Sequence, residues 1–344
     1  MMLHSRLADE IDSIIVPLVN GKSEHICIID PPGQPNVGDN AILIGELNFI
    51  DKNFPNARLS YYDFATHSSA ADRFIEEATI IMIHGGGNFG DIWPDHHALR
   101  MKIFERFAHK TIVQFPQSIH FDNEPGLRTT AAVIQKQKDF TLLVRDLTSL
   151  EIAKSKFECR VLLSPDMAFA MKPLRRNPAT VDYLCLFRTD KEALIDQRSV
   201  CAALQQGDVS VEVYDWLDRP RNLTTRFEEK LKRLTRVRPA VTAPLRSAMM
   251  RLRQHYARQR LTYGVNLLSK GSMVVTDRLH AHILCCLLDI PNFAFDSYDG
   301  KISAFHATWT KDYLDGRLIS SLKELPSRDR VVPSFQAANE RRPF

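Results

Sequence analysis

The sequence has no long hydrophobic run. Its longer apolar stretches, such as 281–288, fall far short of the ~20 residues that a membrane-spanning helix needs. Residues 1–15 contain Asp9, Glu10 and Asp12, so they lack the apolar core of a secretion signal. The protein is therefore expected to stay in the cytoplasm.

Cysteine is scarce, and none of the six cysteines forms a C-x-x-C pair. Their spacing fits neither a disulfide framework nor a zinc site, and several of them lie inside apolar runs. We expect buried free thiols in a reducing compartment. No metal-binding cluster is evident in the sequence, so no metal site is predicted.

The chain as a whole carries little net charge, only +4, but one segment is strongly basic. Residues 219–260 contain thirteen Lys or Arg and two acidic residues, which gives this segment +11 and the rest of the chain −7. Such asymmetry predicts an anionic partner. Because apolar residues are interleaved with the basic ones, we expect a helical segment on an anionic membrane surface; a solvated helix face is the alternative. Nucleic acid is not the expected partner, since the other motifs do not resemble a nucleic-acid module.

Apolar runs of strand length alternate with stretches of helical periodicity through most of the chain. This alternation predicts an α/β protein with parallel sheets, because runs that are apolar throughout, such as 80–83, suit strands buried on both faces. Prolines and basic residues at 171–180 break the pattern and indicate an interdomain linker. The predicted domains are 1–172 and 173–325, followed by a polar tail at 326–344. Two such α/β domains facing each other would place a ligand cleft at the carboxyl ends of their strands.

The predicted strands of the two domains are 25–30, 57–61, 79–84, 111–115, 140–144, 160–163, 182–187, 210–214, 272–276 and 292–295.

Two glycine-containing motifs follow predicted strands. Residues 36–40, N-V-G-D-N, open a helix whose free amides can bind an anion, with Asp39 or Asn40 as a cap. Residues 84–91, H-G-G-G-N-F-G-D, indicate close approach of a ligand or of another backbone, and their amides can hold a phosphate or carboxylate. The alternatives are a capped strand–helix turn and a flexible surface loop. Neither motif is a P-loop or a dinucleotide fingerprint.

Three further motifs stand at strand ends. Gln117, in F-P-Q-S-I at 115–119, can bond sugar hydroxyls, although a turn is the simpler interpretation. Arg145, in V-R-D, and Arg188, in F-R-T-D, can each point into the predicted cleft. A surface ion pair and a solvated loop arginine are the alternatives for these two residues.

The motif that most specifically indicates a function is T-D-R-L-H at 276–280, which follows a predicted strand and opens a predicted helix. The guanidinium of Arg278 can bind phosphate or carboxylate through two parallel hydrogen bonds. His280 is a plausible proton donor near neutral pH, and a core histidine bonded to backbone is the alternative. His282 faces elsewhere on the helix and is expected to be structural.

Together these motifs resemble the polysaccharide pyruvyl transferase family. The resemblance covers about 25–310 and rests on an ordered series of segments: N-V-G-D-N at 36–40, H-G-G-G-N-F-G-D at 84–91, F-P-Q-S-I at 115–119, V-R-D at 144–146, S-P-D at 164–166, T-D-R-L-H at 276–280 and F-D-S-Y-x-G-K-I at 295–302.

The resemblance implies two Rossmann-like domains in a GT-B-like arrangement, with 1–172 as the acceptor side and 173–325 as the donor side. It also implies phosphoenolpyruvate as co-substrate, with no other cofactor, and a pyruvate ketal on a sugar diol of an exopolysaccharide repeat unit as product. The acceptor is expected to be lipid-linked, which would place the enzyme peripherally at the inner face of the plasma membrane.

The site residues that this function implies fall into three groups. Arg278 and His280 match the family's arginine and histidine, with His280 as the general acid and Asp39 or Asp91 as the candidate base. The donor-binding residues are expected to be Arg278, Arg188 or Arg145, Gly85, Gly86 and Gly87. The acceptor-binding residues are expected to be Asn36, Asp39, Asn88, Asp91 and Gln117.

Two other functions fit the sequence. A GT-B glycosyltransferase that uses a nucleotide sugar would need a base and ribose pocket in the second domain. A non-catalytic scaffold in polysaccharide assembly is less well matched, because Arg278 and His280 occur together.

Overall fold

The computed structural model describes residues 3–64, 66–190, 193–205, 209–217, 230, 233–234, 237 and 246–325. The chain divides into two compact units. Unit 1 comprises Met1–Pro35, Asp39–Lys172 and Arg219–Gln259, and unit 2 comprises Asn36–Gly38, Pro173–Asp218 and Arg260–Phe344. The chain thus passes from unit 1 to unit 2 between Lys172 and Pro173, within the predicted linker. Of the basic segment that the sequence placed in the second domain, the described residues 230, 233–234, 237 and 246–259 are grouped with unit 1.

Unit 1 holds a parallel sheet in the order β2-β1-β3-β5-β6-β7, with β4 paired to β5. Its strands are β1 (His25–Ile29), β2 (Arg58–Tyr62), β3 (Ile80–Ile83), β4 (Gly86–Gly90), β5 (Thr111–His120), β6 (Asp139–Val144) and β7 (Arg160–Leu163). Its helices include α1 (Leu3–Val19), α2 (Val37–Asn53, which starts in unit 2), α3 (Asp72–Glu76), α4 (Pro94–Arg106), α5 (Glu124–Ile134) and α6 (Leu147–Lys156), with 3₁₀ turns at Ser69–Ala71 and Met167–Ala170.

Unit 2 holds a parallel sheet in the order β12-β11-β10-β8-β9. Its strands are β8 (Val181–Leu186), β9 (Val211–Tyr214), β10 (Gly271–Thr276), β11 (Asn292–Ala294) and β12 (Gly316–Leu318). Its helices are α7 (Gln197–Leu204), α8 (Arg246–Ser269, which starts in unit 1), α9 (Leu279–Leu287) and α10 (Lys301–Phe305), followed by a π-helical turn at His306–Thr310 and a 3₁₀ turn at Leu322–Glu324.

Both sheets form because their central strands are apolar on both faces. All four residues of β3 and all six of β10 are buried, and helices cover these strands. Polar caps fix where helices begin: the Asn123 side chain accepts from Gly126 N ahead of α5, and Asp146 accepts from Ser149 N ahead of α6. Two parallel α/β units confirm the predicted pair of Rossmann-like domains.

The structure corrects two predicted turns. The glycines of 86–90 form strand β4, and 115–119 lie inside β5 rather than in a turn, with a register shift between Gln114 and Gln117. Gly90 has φ +131°, and a Cβ there would lie 1.6 Å from the carbonyl oxygen of His120. Glycine at position 90 therefore makes room for the backbone of His120 and not for a ligand.

The basic segment lies only partly in the described residues, and the predicted tail at 326–344 lies outside them. In its described part, Arg253 and Arg260 are buried, as are the interleaved Met249, Met250 and Tyr256. These side chains pack in the fold instead of lying on a surface. None of the helices among the described residues is long and apolar enough to cross a membrane.

Candidate active site

The carboxyl ends of β8 and β10 bring two predicted arginines to the same edge of the unit 2 sheet. These strands are paired in parallel, with Leu186 opposite Thr276, so the residues that follow them emerge side by side. The backbone N–H of Arg188 donates to Asp277 Oδ1 at 2.8 Å, which ties the two strand ends together. Arg188 and Arg278 therefore share one locality, as the sequence predicted for strand-end residues.

Arg278 is held by a residue that the sequence did not single out. Its Nη2 donates to Asp215 Oδ1 at 2.7 Å, and its guanidinium carbon lies 5.6 Å from the centre of the Trp216 ring. Asp215 follows β9 and also accepts from Thr189 Oγ1 at 2.8 Å. Because Asp215 is itself buried, it fixes both the orientation of Arg278 and the loop after β8.

Charges of both signs meet at this edge, where Arg188 pairs with Asp190 and Arg278 pairs with Asp215. Burial lowers the pKa of Arg278, the charge of Asp215 opposes that effect, and the nearby charge of Arg188 lowers it further. Burial also raises the pKa of Asp277 to about 6, against the hydrogen bond from Arg188 N and the charges of both arginines. Two guanidinium groups in a poorly hydrated place gain from binding a phosphate or carboxylate.

Three buried polar atoms at this edge have no hydrogen-bond partner within the described parts of the chain: Arg278 Nε, Trp216 Nε1 and Asp277 Oδ2. Buried polar groups are normally paired, because an unpaired one loses its hydration without compensation. Two of the three are N–H donors: Arg278 Nε belongs to the guanidinium, and Trp216 Nε1 lies beside it. The arrangement can therefore accept an oxyanion ligand whose oxygens would satisfy them.

His280 packs against the start of α2, and both segments belong to unit 2. A Cβ built on Gly38 would lie 2.5 Å from Nδ1 of His280, so only glycine allows the imidazole this position. The Asn36 side chain accepts from Gly38 N at 3.0 Å and holds the turn in place. The glycine of N-V-G-D-N thus serves the placement of His280. His282 is structural, as predicted: it is buried, and its ring nitrogens bond Asn292 Oδ1 and Thr310 Oγ1.

In unit 1 the H-G-G-G motif is built around a buried ion pair. His84 Nδ1 lies 2.9 Å from Glu46 Oε2, and Gly85 N donates to Glu46 Oε1 at 2.9 Å. Burial alone would lower the pKa of His84, but the charge and hydrogen bond of Glu46, with Asp39 and Asp30 beyond, raise it. The amide of Gly85 therefore bonds Glu46, and Gly86 and Gly87 lie in β4; donor binding by these glycines stays a prediction.

Two of the predicted acceptor residues, Asn88 and Gln117, belong to a polar network. Gln117 is fully buried, and its Nε2 donates to His84 O at 2.9 Å and to Asn88 Oδ1 at 3.0 Å. Arg100 Nη2 donates to the same Asn88 oxygen at 2.7 Å. These bonds hold β4 to β5 and α4, and contact of Asn88 and Gln117 with an acceptor stays a prediction.

Arg145 and Asp91 also make bonds that support the fold of unit 1. Arg145 is buried, and it donates to Asp166 Oδ2 at 2.7 Å and to Ser118 Oγ at 2.9 Å. Asp91 accepts from the backbone N–H groups of Asp122 and Asn123. Asp39 is half-buried in the first turn of α2, where it keeps the candidate role of base.

Sequence reasoning missed Asp215, Trp216 and Asp277. The first two were detectable in principle, because Y-D-W at 214–216 puts a carboxylate and an indole directly after a predicted strand. Among the residues that the structure describes, no group of three or more His, Cys, Asp or Glu side chains is placed to hold a metal ion.

The sequence is similar to those of proteins named as pyruvyl transferases. The sequence profile described as polysaccharide pyruvyl transferase matches residues 36–299. Pyruvyl transferase 1 of Schizosaccharomyces pombe is 29% identical over 305 residues, covering 83% of this chain and 70% of that protein. The putative pyruvyl transferase EpsO of Bacillus subtilis is 30% identical over 315 residues, covering 89% of this chain and 92% of that protein.

The fold has a counterpart among solved structures. A functionally uncharacterised protein of Klebsiella pneumoniae superposes with a TM-score of 0.60 at 19% identity, over 92% of this chain and 99% of that one. At this identity the likeness shows the fold alone. The profile covers far more than half of the sequence, and the chain therefore belongs to the polysaccharide pyruvyl transferase family of transferases.

Proposed function

We propose that the protein transfers the pyruvate unit of phosphoenolpyruvate to a sugar diol of an exopolysaccharide repeat unit and forms a pyruvate ketal. The observation that supports this most directly is the pair of arginines at the carboxyl ends of β8 and β10, beside unpartnered N–H groups of Arg278 and Trp216. Phosphoenolpyruvate carries a phosphate and a carboxylate on a three-carbon frame. Two guanidinium groups in one locality suit such a doubly anionic ligand.

Each residue has one role in the proposed reaction. Arg278 and Arg188 hold the phosphate and the carboxylate and stabilise the charge on the departing phosphate. His280 is the general acid, and Asp39 is the candidate base for the attacking hydroxyl. Arg145 remains an alternative second donor arginine, although its described bonds to Asp166 and Ser118 weigh against it.

The proposed chemistry balances without a further reactant. His280 gives a proton to the methylene carbon, and one acceptor hydroxyl oxygen bonds to C2 while its proton passes to the base. The bond from C2 to the phosphate oxygen then breaks, with both electrons leaving on phosphate, and the second hydroxyl oxygen bonds to C2. The acceptor hydroxyls lose two protons. One restores the proton that His280 gave, and the other leaves with the released phosphate.

The test measures phosphate release from phosphoenolpyruvate when an oligosaccharide with a free diol is added, together with the mass of the product. We expect a gain of one pyruvate less one water, and loss of turnover in Arg278→Lys but not in Arg317→Lys, an exposed arginine of the same unit. Thermal stabilisation by uridine or guanosine diphosphate sugars, with no phosphate release, would favour a nucleotide-sugar transferase. Neither response would favour a scaffold.

Binding to an anionic membrane, where a lipid-linked acceptor would reside, is a separate part of the proposal. It is supported by exposed basic residues in the described part of the basic segment: Lys230, Arg233, Arg251 and Arg258. Replacing these four by glutamine should reduce flotation with anionic liposomes. Replacing four exposed basic residues elsewhere, Lys154, Lys156, Arg160 and Arg175, should not. Equal flotation of the two variants would count against it.

A further inference from the structure

Asp30 has an unusual backbone conformation at the carboxyl end of β1. Its φ is +63°, in the left-handed region that only a few non-glycine residues enter, and its side chain is buried. Residues held in such conformations cost stability and concentrate at functional sites. Asp30 has no role in the proposed reaction.

The carboxylate of Asp30 orients a histidine. Oδ2 lies 2.6 Å from Nδ1 of His96, in the first turn of α4, while Oδ1 is buried with no hydrogen-bond partner among the described residues. With Nδ1–H donating to the carboxylate, Nε2 of His96 carries the lone pair and accepts a hydrogen bond. No described residue supplies one, and the His96 side chain is 17% exposed, so Nε2 can receive a hydroxyl from outside the fold.

An exposed aromatic ring stands beside this histidine. Phe64 is 41% exposed, and its ring meets the His96 ring edge to face, with 5.2 Å between centres. Both carboxylate oxygens of Asp63, the residue before Phe64, are bonded: Oδ1 accepts from the backbone and hydroxyl of Thr66, and Oδ2 accepts from Arg253 Nη2. The Phe64 ring presents an apolar surface to solvent directly beside the imidazole.

The geometry points to a saccharide-binding site on unit 1, formed by Phe64, His96 and Asp30. The flat apolar face of a pyranose would stack on the Phe64 ring, and a sugar hydroxyl would donate to His96 Nε2. A site for a small ligand usually combines an aromatic surface with a small number of polar groups. This inference rests on the proposed function for its choice of a sugar.

A purely structural role for the pair of Asp30 and His96 explains fewer of these observations. A surface pair such as His109 Nε2 with Glu76 Oε1, 2.8 Å apart, needs neither backbone strain nor a bare buried oxygen. The strain at Asp30, its unpartnered Oδ1 and the exposed ring of Phe64 meet in one place and have no common explanation within the fold.

The test is binding, measured by saturation-transfer NMR with the full chain and methyl glycosides of glucose, galactose and mannose, without phosphoenolpyruvate. We expect transfer to one sugar face in the wild type and a Kd about tenfold weaker in Phe64→Ala. His96→Asn should weaken binding similarly, because the amide can still donate to Asp30 but nothing replaces Nε2. Asp30→Asn tolerates the left-handed backbone and should have a smaller effect.

Two variants serve as matched controls. Leu147→Ala removes another exposed apolar side chain of unit 1, and His109→Gln removes another histidine paired with a carboxylate. Both should bind sugars as the wild type does. Absence of sugar binding in the wild type, or unchanged binding in Phe64→Ala and His96→Asn, would overturn the inference.

The outcomes separate this inference from the proposed function. In turnover, Phe64→Ala and His96→Asn should raise KM for the saccharide and leave KM for phosphoenolpyruvate unchanged. Phosphate release with normal saccharide KM in both variants would leave the proposed function intact and reject this site. Sugar binding without any phosphate release would retain the site and reject the proposed reaction.

Discussion

Nη2 of Arg278 lies 2.7 Å from Oδ1 of Asp215, and both side chains are buried. The carboxylate therefore balances the charge of the arginine while the anion is absent and sets the direction of its remaining N–H groups. Asp215 does not need to touch the donor to affect it. It is a positioning residue for the arginine that the family resemblance singles out.

The first prediction follows from this pair. In Asp215→Asn the hydrogen bond can persist but its charge is lost, so Arg278 should be held less firmly. We expect KM for phosphoenolpyruvate to rise about tenfold, with a smaller change in kcat and none in KM for the saccharide. Glu212→Gln, on the same strand, removes an exposed partner of Lys270 and should change none of these values. An unchanged KM in Asp215→Asn would mean that Arg278 needs no such support.

The second prediction decides between the two candidate donor arginines. Arg188 sits at the edge of unit 2 with Asp190 as its side-chain partner, whereas Arg145 and Asp166 form a fully buried pair. Arg188→Lys should raise KM for phosphoenolpyruvate while the unfolding midpoint stays nearly constant. Arg145→Lys should lower the free energy of unfolding by about 3 kcal/mol, because it leaves a buried carboxylate poorly paired.

Steady-state kinetics and urea unfolding of the two variants provide the comparison. A stable Arg145→Lys protein with a raised KM for phosphoenolpyruvate would transfer the donor role to Arg145.

The sheets could be predicted because parallel strands buried on both faces are apolar throughout. β3 and β10 show this pattern clearly, and the predicted limits of most strands lie within one or two residues of those observed. The pattern failed at β4 and at the end of β5. Glycines in β4 and Pro116 in β5 indicate turns locally, but pairing between the two strands overrides that preference.

The candidate site was predictable only where a motif ends a strand. Arg188 and Arg278 were found this way. Asp215 was missed although the strand before it was predicted, because its bond to Arg278 joins residues 63 positions apart in the sequence. The network of Gln117 with Asn88 and Arg100 was not predicted, because it depends on pairing between elements distant in sequence. No local pattern reports such pairing.

The third prediction concerns the contact between Gly38 and His280. In Gly38→Ala the new methyl group would meet the imidazole, so the ring or the turn must move. We expect a large loss of kcat and a loss of stability of about 2 kcal/mol. In a His280→Gly background the space is open, because the ring and the Cβ that would meet the new methyl group are both gone, and the same substitution should cost much less. A double-mutant cycle by urea unfolding measures this coupling, and additive effects would show that the two residues are independent.

The last prediction is a pH dependence that comes from Asp277. Its pKa is raised to about 6 in the folded protein, chiefly by burial, against an ordinary value of 3.8. Between these two values the folded state binds more protons than the unfolded state, so this group makes stability fall as pH rises from 3.8 towards 6.

Asp277→Asn removes the titration while its side-chain oxygen can still accept the hydrogen bond from Arg188 N. The free energy of unfolding of the variant, relative to the wild type, should therefore increase with pH across this window and level off above it. Asp182→Asn, at a partly buried position on β8, is the matched control. Urea unfolding at a series of pH values measures both differences, and parallel curves for Asp277→Asn and the wild type would show that the carboxyl is already ionised at the lower end of the range.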